Sequence, residues 1–478
     1  MSQELLTVSW MSCIRLEPAQ SVRLECSEGR WTISRDNEEF SFHLPDGATS
    51  DALAAIRRDG APLDTLVADE QGLPRDARSV RQIGHLWRQG FFVKAIYDGD
   101  EKVAEVRNFG SAPMLSSAVD PADALILPET SCVRRCDGHV LIESSGSGAY
   151  LLEFGDRLQR MPVPMFRPAT CAEWASETGL PEEVVAAIAS SLVSIGALKR
   201  SGPRAAAETL PYGWSFADHM VHARSSFGRH IAEYGTMRKY QGRHDKLAPR
   251  EGRPGDRIVE LPRPDLKAIA AQDRPFTEVL ENRRSLRDQD DRPLTLAALG
   301  EFLYRSARVT GKVGTGPLEI TLRPYPSGGG LHELEIYPFV NRCDGLDAGV
   351  YRYEPYDHRL IHCAPPGPGT SRLVASTHSA TRMQGEPQVL FLIAARFNTV
   401  NVKYGSIAYS LILKNLGGLF QTMNLVATAM GLAGCILGCR YGDVFCDLVG
   451  TDYWQESTVG EFLLGTCRTA ESPTLPQP

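Results

Sequence analysis

The feature that most constrains the fold is a pair of apolar segments near the carboxyl end of the chain. Residues 389–395 (VLFLIAA) form an unbroken apolar run, which is typical of a strand buried on both faces. A helical segment from Ala408 to Met430 follows, and it is apolar on nearly every side, so we expect it to be buried. Both segments need other elements to cover them, which predicts a domain of packed helices and strands.

The surrounding residues supply elements of both kinds, and we predict an α+β fold for residues 276–470. Helices are expected at 276–284 and 295–306, with Thr295 as the N-cap of the second. Strands are expected at 320–323, 334–340, 350–353 and 360–362. Residues 471–478 are expected to form a flexible tail.

The first two hundred residues show one order of elements twice: strands, two helices, a glycine and a strand. The helices are expected at 50–58 and 76–89 before Gly90, and at 170–178 and 181–195 before Gly196. This order is typical of a winged helix. We therefore predict two winged-helix-like domains, at 1–118 and 119–202.

A winged helix serves as a structural or dimerisation module, binds DNA, or captures a peptide as an added strand at a sheet edge. The second copy has Glu182 and Glu183 in its helix and no Lys or Arg there, which disfavours DNA binding. The sequence does not separate the structural role from peptide capture.

Residues 203–275 differ in composition and are predicted to be a connector that docks on the α+β domain at 276–470. Residues 223–257 carry nine Arg or Lys against four Asp or Glu. The segment 214–230 also contains Trp214 and Phe216, which are suited to docking.

The charge balance argues against several classes of protein. The net charge of −7 disfavours a dedicated nucleic-acid-binding protein, which is usually basic. The sequence has no apolar run of about 18 residues for a membrane helix and no secretory signal pattern at its start. We therefore expect a cytoplasmic protein without a membrane or nucleic-acid partner. The eleven cysteines lack the spacing of common zinc sites, so no metal is expected.

Three clusters in residues 276–470 are hard to explain by packing alone. The first contains Arg283, Arg284, Ser285 and Arg287, at the end of a predicted helix. Guanidinium groups offer paired donors that match phosphate oxygens, so this cluster indicates a phosphate site. A basic helix end in solvent explains the same residues.

The second and third clusters are rich in glycine. Residues 326–332 (PSGGGLH) and 431–438 (GLAGCILG) permit close approach of the backbone to a flat ligand. The former matches neither a dinucleotide-binding fingerprint nor a Walker motif. A plain glycine-rich loop, and a helix end followed by a buried strand, are the alternative interpretations.

In their order and approximate spacing, the three clusters resemble motifs of the FMN-dependent nitroreductase-like family. The match is to its SagB-type, or azoline-oxidase, branch, with Arg-Arg-Ser-x-Arg, Pro-Ser-Gly-Gly and Gly-Leu-x-Gly-Cys-x-x-Gly. The segment 214–230 is similar to a connector typical of that branch. The two N-terminal modules resemble the precursor-peptide recognition domains that are fused to some of these oxidases. The resemblance thus extends over nearly the whole chain, strongly at its carboxyl end and loosely at its amino end.

The resemblance implies that FMN binds in the interface of a homodimer. Arg283, Ser285 and Arg287 would then hold the phosphate and the ribityl chain. The complete set of implied cofactor-binding residues is Arg283, Arg284, Ser285, Arg287, Pro326, Ser327, Gly328, Gly329, Gln421, Asn424, Leu437, Gly438 and Arg468.

The resemblance also implies a catalytic pair, Lys403 and Tyr404, between the apolar strand and the long helix. Oxidation of a thiazoline or oxazoline removes a hydride from one ring carbon and a proton from its neighbour. A lysine desolvated in a pocket has a lowered pKa and accepts a proton, and a tyrosine can relay one. Lys403 is thus the expected base, and Tyr404 orients or relays. A surface lysine at a helix start is the alternative.

The implied function is FMN-dependent oxidation of peptide azolines to azoles during maturation of a ribosomally made peptide. The implied partners are the precursor peptide and a YcaO-type cyclodehydratase complex. The alternatives are a general NAD(P)H-dependent flavin reductase, a non-catalytic scaffold of a peptide-modifying complex, and a DNA-binding regulator with a flavin sensor. His332-Glu333 stands where many relatives have His-Pro, which leaves the substrate open.

Overall fold

The chain divides into two compact units, Met1–Ala232 and Glu233–Pro478, in a computed structural model. The structure describes residues 10–19, 22–28, 30–35, 38–43, 48–67, 77–108, 113–114, 118–136, 138–144, 149–153, 164–201, 213–226, 257–314, 320–383, 385–438 and 441–467.

The first unit is built on antiparallel strands. They are β1 (Ile14–Pro18), β2 (Val22–Ser27), β3 (Arg30–Arg35), β4 (Glu38–His43), β5 (Ala61–Pro62), β6 (Phe92–Asp98), β7 (Glu101–Asn108), β8 (Leu125–Ile126), β9 (Ser131–Cys136), β10 (His139–Ser144), β11 (Ala149–Glu153) and β12 (Lys199–Arg200). Seven form one sheet in the order β5-β1-β6-β7-β11-β10-β9, while β2, β3 and β4 form a second and β8 pairs with β12. One apolar core extends from Ile14 to Leu198.

The helices of this unit follow local signals in the sequence. They are α1 (Ala48–Asp59), α2 (Leu63–Val67), α3 (Ala77–Arg88), α4 (Cys171–Thr178), α5 (Glu182–Ser194) and α6 (Phe216–Arg224). Thr170 caps α4 and exchanges hydrogen bonds with Glu173, a capping box that pairs otherwise free N–H groups. Gly90 follows α3 with φ of 75°, a conformation that glycine adopts readily.

The first half departs from the predicted order, since β5 and α2 lie between α1 and α3 before Gly90 and β6, whereas α4 and α5 precede Gly196 and β12 as predicted. Strands of both halves nevertheless share one sheet, because β7 pairs with β11. The structure shows a mixed helix-and-sheet unit and does not show two winged-helix domains, so the boundaries at 118 and 202 stay predictions.

One described part of the predicted connector, α6, belongs to the first unit. Its Arg224 lies 3.7 Å from a carboxylate oxygen of Glu143 in β10. Another described part, residues 258–260, belongs to the second unit and pairs antiparallel with residues 359–361. The bounds of the connector stay a prediction.

The second unit contains a further seven-stranded antiparallel sheet. Its strands, with the short ones beside it, are β13 (Ile258–Glu260), β14 (Leu294–Thr295), β15 (Gly311–Val313), β16 (Ile320–Leu322), β17 (Leu334–Val340), β18 (Cys343–Asp344), β19 (Gly349–Glu354), β20 (Arg359–Ala364), β21 (Val389–Arg396), β22 (Leu432–Leu437) and β23 (Glu456–Thr466). The sheet order is β13-β20-β19-β17-β21-β23-β22. The apolar run of β21 therefore lies inside the sheet, as predicted.

Helices cover both faces of this sheet. They are α7 (Leu266–Gln272), α8 (Phe276–Asn282), α9 (Leu296–Ala307), α10 (Pro368–Thr381), α11 (Phe397–Tyr404), α12 (Ala408–Ala429) and α13 (Gly442–Val449). One apolar core joins the sheet to α9 and α12, and another joins it to α10 and α13. The prediction of a mixed helix-and-sheet domain is confirmed, and Thr295 caps α9 as expected.

The long helix α12 is less buried than its composition predicts. Ile412, Leu416 and Leu419 face the core, but Tyr409 and Leu413 are each 39% exposed. The expectation of burial on nearly every side is wrong, because one stripe of the helix has no covering layer within the described chain.

In the ranges that the structure describes, no helix has the length and apolar character needed to cross a membrane. The same ranges contain no group of three or more His, Cys, Asp or Glu residues placed to hold a metal ion.

Lys94 is an unusual core residue of the first unit. Its side chain is fully buried on β6, with Nζ 5.0 Å from the centre of the Trp87 ring. Burial lowers the pKa of this amine from 10.5 to about 7, because a low-dielectric core disfavours the charged form.

We predict that Lys94 makes the stability of the first unit rise with pH between about 7 and 10.5. In this window the unfolded chain binds a proton that the folded chain does not, which adds at most about 1.4 kcal/mol per pH unit. Below this window both states are protonated, so the free energy of unfolding no longer changes with pH through Lys94. Urea unfolding of wild type and Lys94→Met, followed by tryptophan fluorescence at pH 7 and about pH 9, checks this. The same pH dependence in both proteins would contradict it.

Candidate functional site

The first cluster lies in a segment that follows α8 and runs beside the sheet. Arg283 ends α8. The N–H of Leu286 donates to the carbonyl of Gly434 (3.0 Å), and that of Asp290 donates to Thr466 (2.9 Å), so the segment is attached to β22 and β23. Because Gly434 belongs to the third cluster, the fold brings the first and third clusters together.

One amide side chain, Gln388, fixes the far end of this segment. Its Oε1 accepts from the N–H groups of Leu294 (2.8 Å) and Thr466 (3.1 Å). Its Nε2 donates to the carbonyls of Asp290 (2.8 Å) and Arg292 (3.1 Å). The side chain is fully buried, so its loss would leave buried backbone groups unpaired.

A cavity of about 310 Å³ lies beside the first cluster. It is lined by Ser285, Leu286, Arg287, Asp288, Thr381, Arg382 and Cys467. Arg382 comes from the end of α10, where it is the C-cap with φ of 54°. The sequence analysis missed Arg382, because no motif around it marks a ligand.

Several arginines here are available to an anion. In the described residues, no hydrogen bond or ion pair occupies the guanidinium groups of Arg283, Arg287 and Arg382. Arg284 differs, since its Nη1 donates to the carbonyls of Glu281 and Arg283, both at 2.8 Å. Arg284 therefore closes the end of α8, whereas the other three suit phosphate oxygens.

Cys435 links the first cluster to β22. Burial raises the pKa of its thiol, while the charge of Arg287 and a hydrogen bond with Ser285 act in the opposite direction. Arg287 and Ser285 therefore lie next to Cys435, which belongs to the third cluster.

The second cluster, residues 326–330, forms a loop packed on α12. A methyl group on Gly328 would lie 2.6 Å from Cδ2 of Leu411. One on Gly418 of α12 would lie 3.1 Å from Cγ of Pro326. The loop backbone and the helix thus approach each other more closely than side chains would allow.

A hydrogen-bond network ties this loop to α12. The N–H of Gly328 donates to Oδ1 of Asn415 (3.0 Å), and that of His332 donates to Oγ of Ser327 (3.0 Å). Glu333 accepts from Nδ2 of Asn415 (2.8 Å) and from the Ser327 hydroxyl (3.2 Å). Burial raises the pKa of the Glu333 carboxyl, which these two hydrogen bonds oppose. Asn415 was missed by the sequence analysis.

Lys403 and Tyr404 lie at the end of α11 and touch the second cluster. A methyl group on Gly329 would lie 2.5 Å from Nζ of Lys403 and 2.7 Å from the hydroxyl of Tyr404. Nζ of Lys403 is 5.5 Å from the centre of the Tyr404 ring. The fold therefore places the predicted catalytic pair against the predicted flavin-facing loop.

The other predicted residues occupy varied environments. On α12, Gln421 is exposed and Asn424 is buried. The Leu437 side chain is packed in the core at the end of β22, and Gly438 is exposed beyond it. Arg468 lies outside the described residues. The binding roles of all five stay predictions.

The carboxyl-terminal region matches a known family. The profile of the nitroreductase family matches residues 280–465, so this region contains a nitroreductase family domain. Members of the family bind flavin and are typically FMN-dependent oxidoreductases.

Individual relatives resemble the same part of the chain. A protein of Methanocaldococcus jannaschii described as a nitroreductase is 28% identical over 183 residues, which is 38% of this chain and 85% of that protein. A crystal structure from Ralstonia eutropha, described as a nitroreductase, has 19% identity and a TM-score of 0.36, covering 50% of this chain and 100% of its own.

A further similar structure is that of the Escherichia coli microcin synthetase McbBCD complex with a truncated precursor bound. The matched chain has 19% identity and a TM-score of 0.34, covering 52% of this chain and 90% of its own. With TM-scores below 0.5, these structural similarities support no conclusion about function.

We predict that Gly329→Ala displaces the Lys403 amine without unfolding the domain, since the long lysine side chain can move away from the new methyl group. Gly450→Ala is the matched control: Gly450 also has a positive φ, and no atom lies within 4 Å of its added methyl group. Both variants should lose about 1–2 kcal/mol from backbone strain.

Reactivity of the Lys403 amine towards acetic anhydride, read by mass spectrometry, should change in Gly329→Ala alone. An equal Lys403 reactivity in the two variants, with equal thermal midpoints, would show that Gly329 and Lys403 do not touch.

Proposed function

We propose that this protein is an FMN-dependent dehydrogenase that oxidises azoline rings of a peptide to azoles. The observation that carries the proposal is the contact of Gly329 with Lys403 and Tyr404. It brings a group able to take a proton to the backbone of the loop that the resemblance assigns to the flavin ring. A lysine side chain that extended only into solvent would leave room for a larger side chain at position 329.

The residues of the first cluster fit the phosphate end of FMN. Arg287 and Arg382 line the cavity together with Ser285 and Asp288, and in the described residues no ion pair occupies either guanidinium group. The glycines of loop 326–330 allow its backbone to approach a flat ring. Arg287, Ser285 and Arg382 would thus hold the phosphate, and the loop would lie along the ring.

The chemistry divides between the cofactor and the chain. Bound FMN supplies a hydride acceptor, which the chain's own side chains cannot provide. Lys403 takes the proton from the ring carbon next to the one that loses hydride, and the two remaining electrons form the new double bond of the azole. Tyr404 holds the Lys403 amine in line with that carbon or passes the proton onward. Dioxygen is the expected final oxidant.

A second copy of the chain is the partner we propose for the exposed side of α12. Phe276 and Leu280 of α8 are 65% and 42% exposed, and Tyr409 and Leu413 of α12 are each 39% exposed. The helices α8 and α12 pack together, and exposed apolar side chains on neighbouring helices suit a protein interface. The resemblance places FMN in such a homodimer interface. It also suggests a precursor peptide and a YcaO-type cyclodehydratase complex as partners.

The decisive experiment is a visible spectrum of the FMN-loaded protein during anaerobic addition of an azoline-containing peptide. We predict bleaching of the flavin band by the peptide and recovery in air. Lys403→Met should keep the flavin band but slow bleaching by about 100-fold or more, because proton removal lacks its base. Bleaching by NAD(P)H alone would identify a general flavin reductase. A protein that takes up no FMN would support the alternative of a non-catalytic scaffold in a peptide-modifying complex.

We further predict that Arg287→Ala weakens FMN binding by about 10–100-fold, as expected for the loss of a charge-assisted hydrogen bond. Binding of riboflavin, which lacks the phosphate, should change little. Quenching of flavin fluorescence measures both affinities. Arg372→Ala is the control, since Arg372 is an exposed residue of α10 that lines no part of the cavity. Equal losses for the two flavins would show that Arg287 does not bind phosphate.

A further inference from the structure

We propose that Glu333 is a positioning residue, which acts with Asn415 to hold the 327–330 loop against Lys403 and Tyr404 and so sets where the two groups lie. This inference rests on the proposed function for the roles of Lys403 and Tyr404. Glu333 itself is 1% exposed and touches the loop and α12 rather than any open site.

The donors and acceptors of the network leave a single arrangement for Asn415. The N–H of Gly328 needs an acceptor, which fixes Oδ1 towards the loop. The Nδ2 group then has two hydrogens to donate, to Glu333 (2.8 Å) and to Oγ of Ser327 (3.3 Å). Both ends of the amide are thus used. An apolar side chain at 333 would leave one Asn415 hydrogen and the Ser327 hydroxyl without these partners.

The loop needs such fixing because two of its residues are glycines, which restrict the backbone little, and a third residue is strained. Gly329 and Gly330 have φ of 63° and 64°, and His332, which is not a glycine, has φ of 46°. Backbone in this region persists where surrounding contacts determine it. The hydrogen bonds of Ser327, Glu333 and Asn415 lie on either side of these residues and hold the backbone in this conformation.

The glycine part of the loop is also the part that meets the catalytic pair. Gly328, held by Asn415, is followed directly by Gly329, whose Cα side faces Nζ of Lys403 and the Tyr404 hydroxyl. A shift of this loop therefore changes the space available to the lysine amine. The chain of contacts runs from Glu333 through Asn415 and Gly328 to Lys403.

The first test uses the chemical reactivity of Lys403, which needs neither flavin nor substrate. Competitive acetylation with acetic anhydride, read by mass spectrometry, gives the relative reactivity of each lysine. Glu333→Leu should change the reactivity of Lys403 and leave that of Lys267, an exposed residue of α7, unchanged. Glu333→Gln should recover part of the wild-type value, since its one amide oxygen can accept from Asn415 or from Ser327 but not from both. An unchanged Lys403 in Glu333→Leu would overturn the proposal.

The second test is a double-mutant cycle on azoline oxidation. Glu333→Leu should lower kcat by about tenfold to a hundredfold, as expected for a misplaced catalytic group. In a Lys403→Met background the same change should have little further effect, because Glu333 acts through Lys403. Full additivity of the two losses would overturn the proposal.

These tests distinguish failure of the proposed function from failure of the positioning role of Glu333. If FMN-loaded wild type oxidises no azoline, the proposed function fails, and the acetylation result still decides whether Glu333 positions Lys403. If Glu333→Leu does not fold, Ser327→Ala removes one hydroxyl of the same network and should alter Lys403 reactivity in the same direction. Unaltered Lys403 reactivity in folded Ser327→Ala would then count against the proposal.

Discussion

The packing of α12 on the central sheet is the constraint on which the candidate site depends. One side of the helix enters the core through residues such as Ile412 and Leu419. Another side carries Leu411, Asn415 and Gly418, which lie at successive turns and together hold the loop at 326–330. Because residues four and seven apart share one side of a helix, the depth at which α12 is buried also sets the position of the loop. The helix α11, with its Lys403–Tyr404 pair, joins α12 at its start.

Elements with a strong local pattern were predictable from the sequence. The apolar run of β21 and the cap at Thr295 carry their signals within a few residues, and physical preferences at that range decide secondary structure. The exposure of α12 was not predictable in the same way. Composition shows that Tyr409 and Leu413 favour burial, but it does not show whether this chain supplies the surface that covers them.

The candidate site was predictable only in part, for a related reason. Arg283, Arg284 and Arg287 look alike in the sequence, yet the carbonyls at the end of α8 occupy Arg284 alone. Asn415 and Arg382 have no motif around them, since their roles come from segments distant in the chain. Gln421 and Asn424 were chosen on α12 by resemblance, whereas the amide that holds the loop belongs to Asn415, more than one turn earlier.

The buried amide of Gln388 has a consequence for synthesis of the protein on the ribosome. It joins the backbone of residues 290–294 to Thr466, and the Thr466 hydroxyl also donates to the carbonyl of Arg292, 174 positions earlier. At roughly 5–20 residues per second, those earlier residues leave the ribosome roughly 10–35 s before their last partner exists. Until then the arginine-bearing segment cannot take its final shape. The backbone at 290–294 therefore gains its last hydrogen-bond partner only when synthesis of the domain is nearly complete.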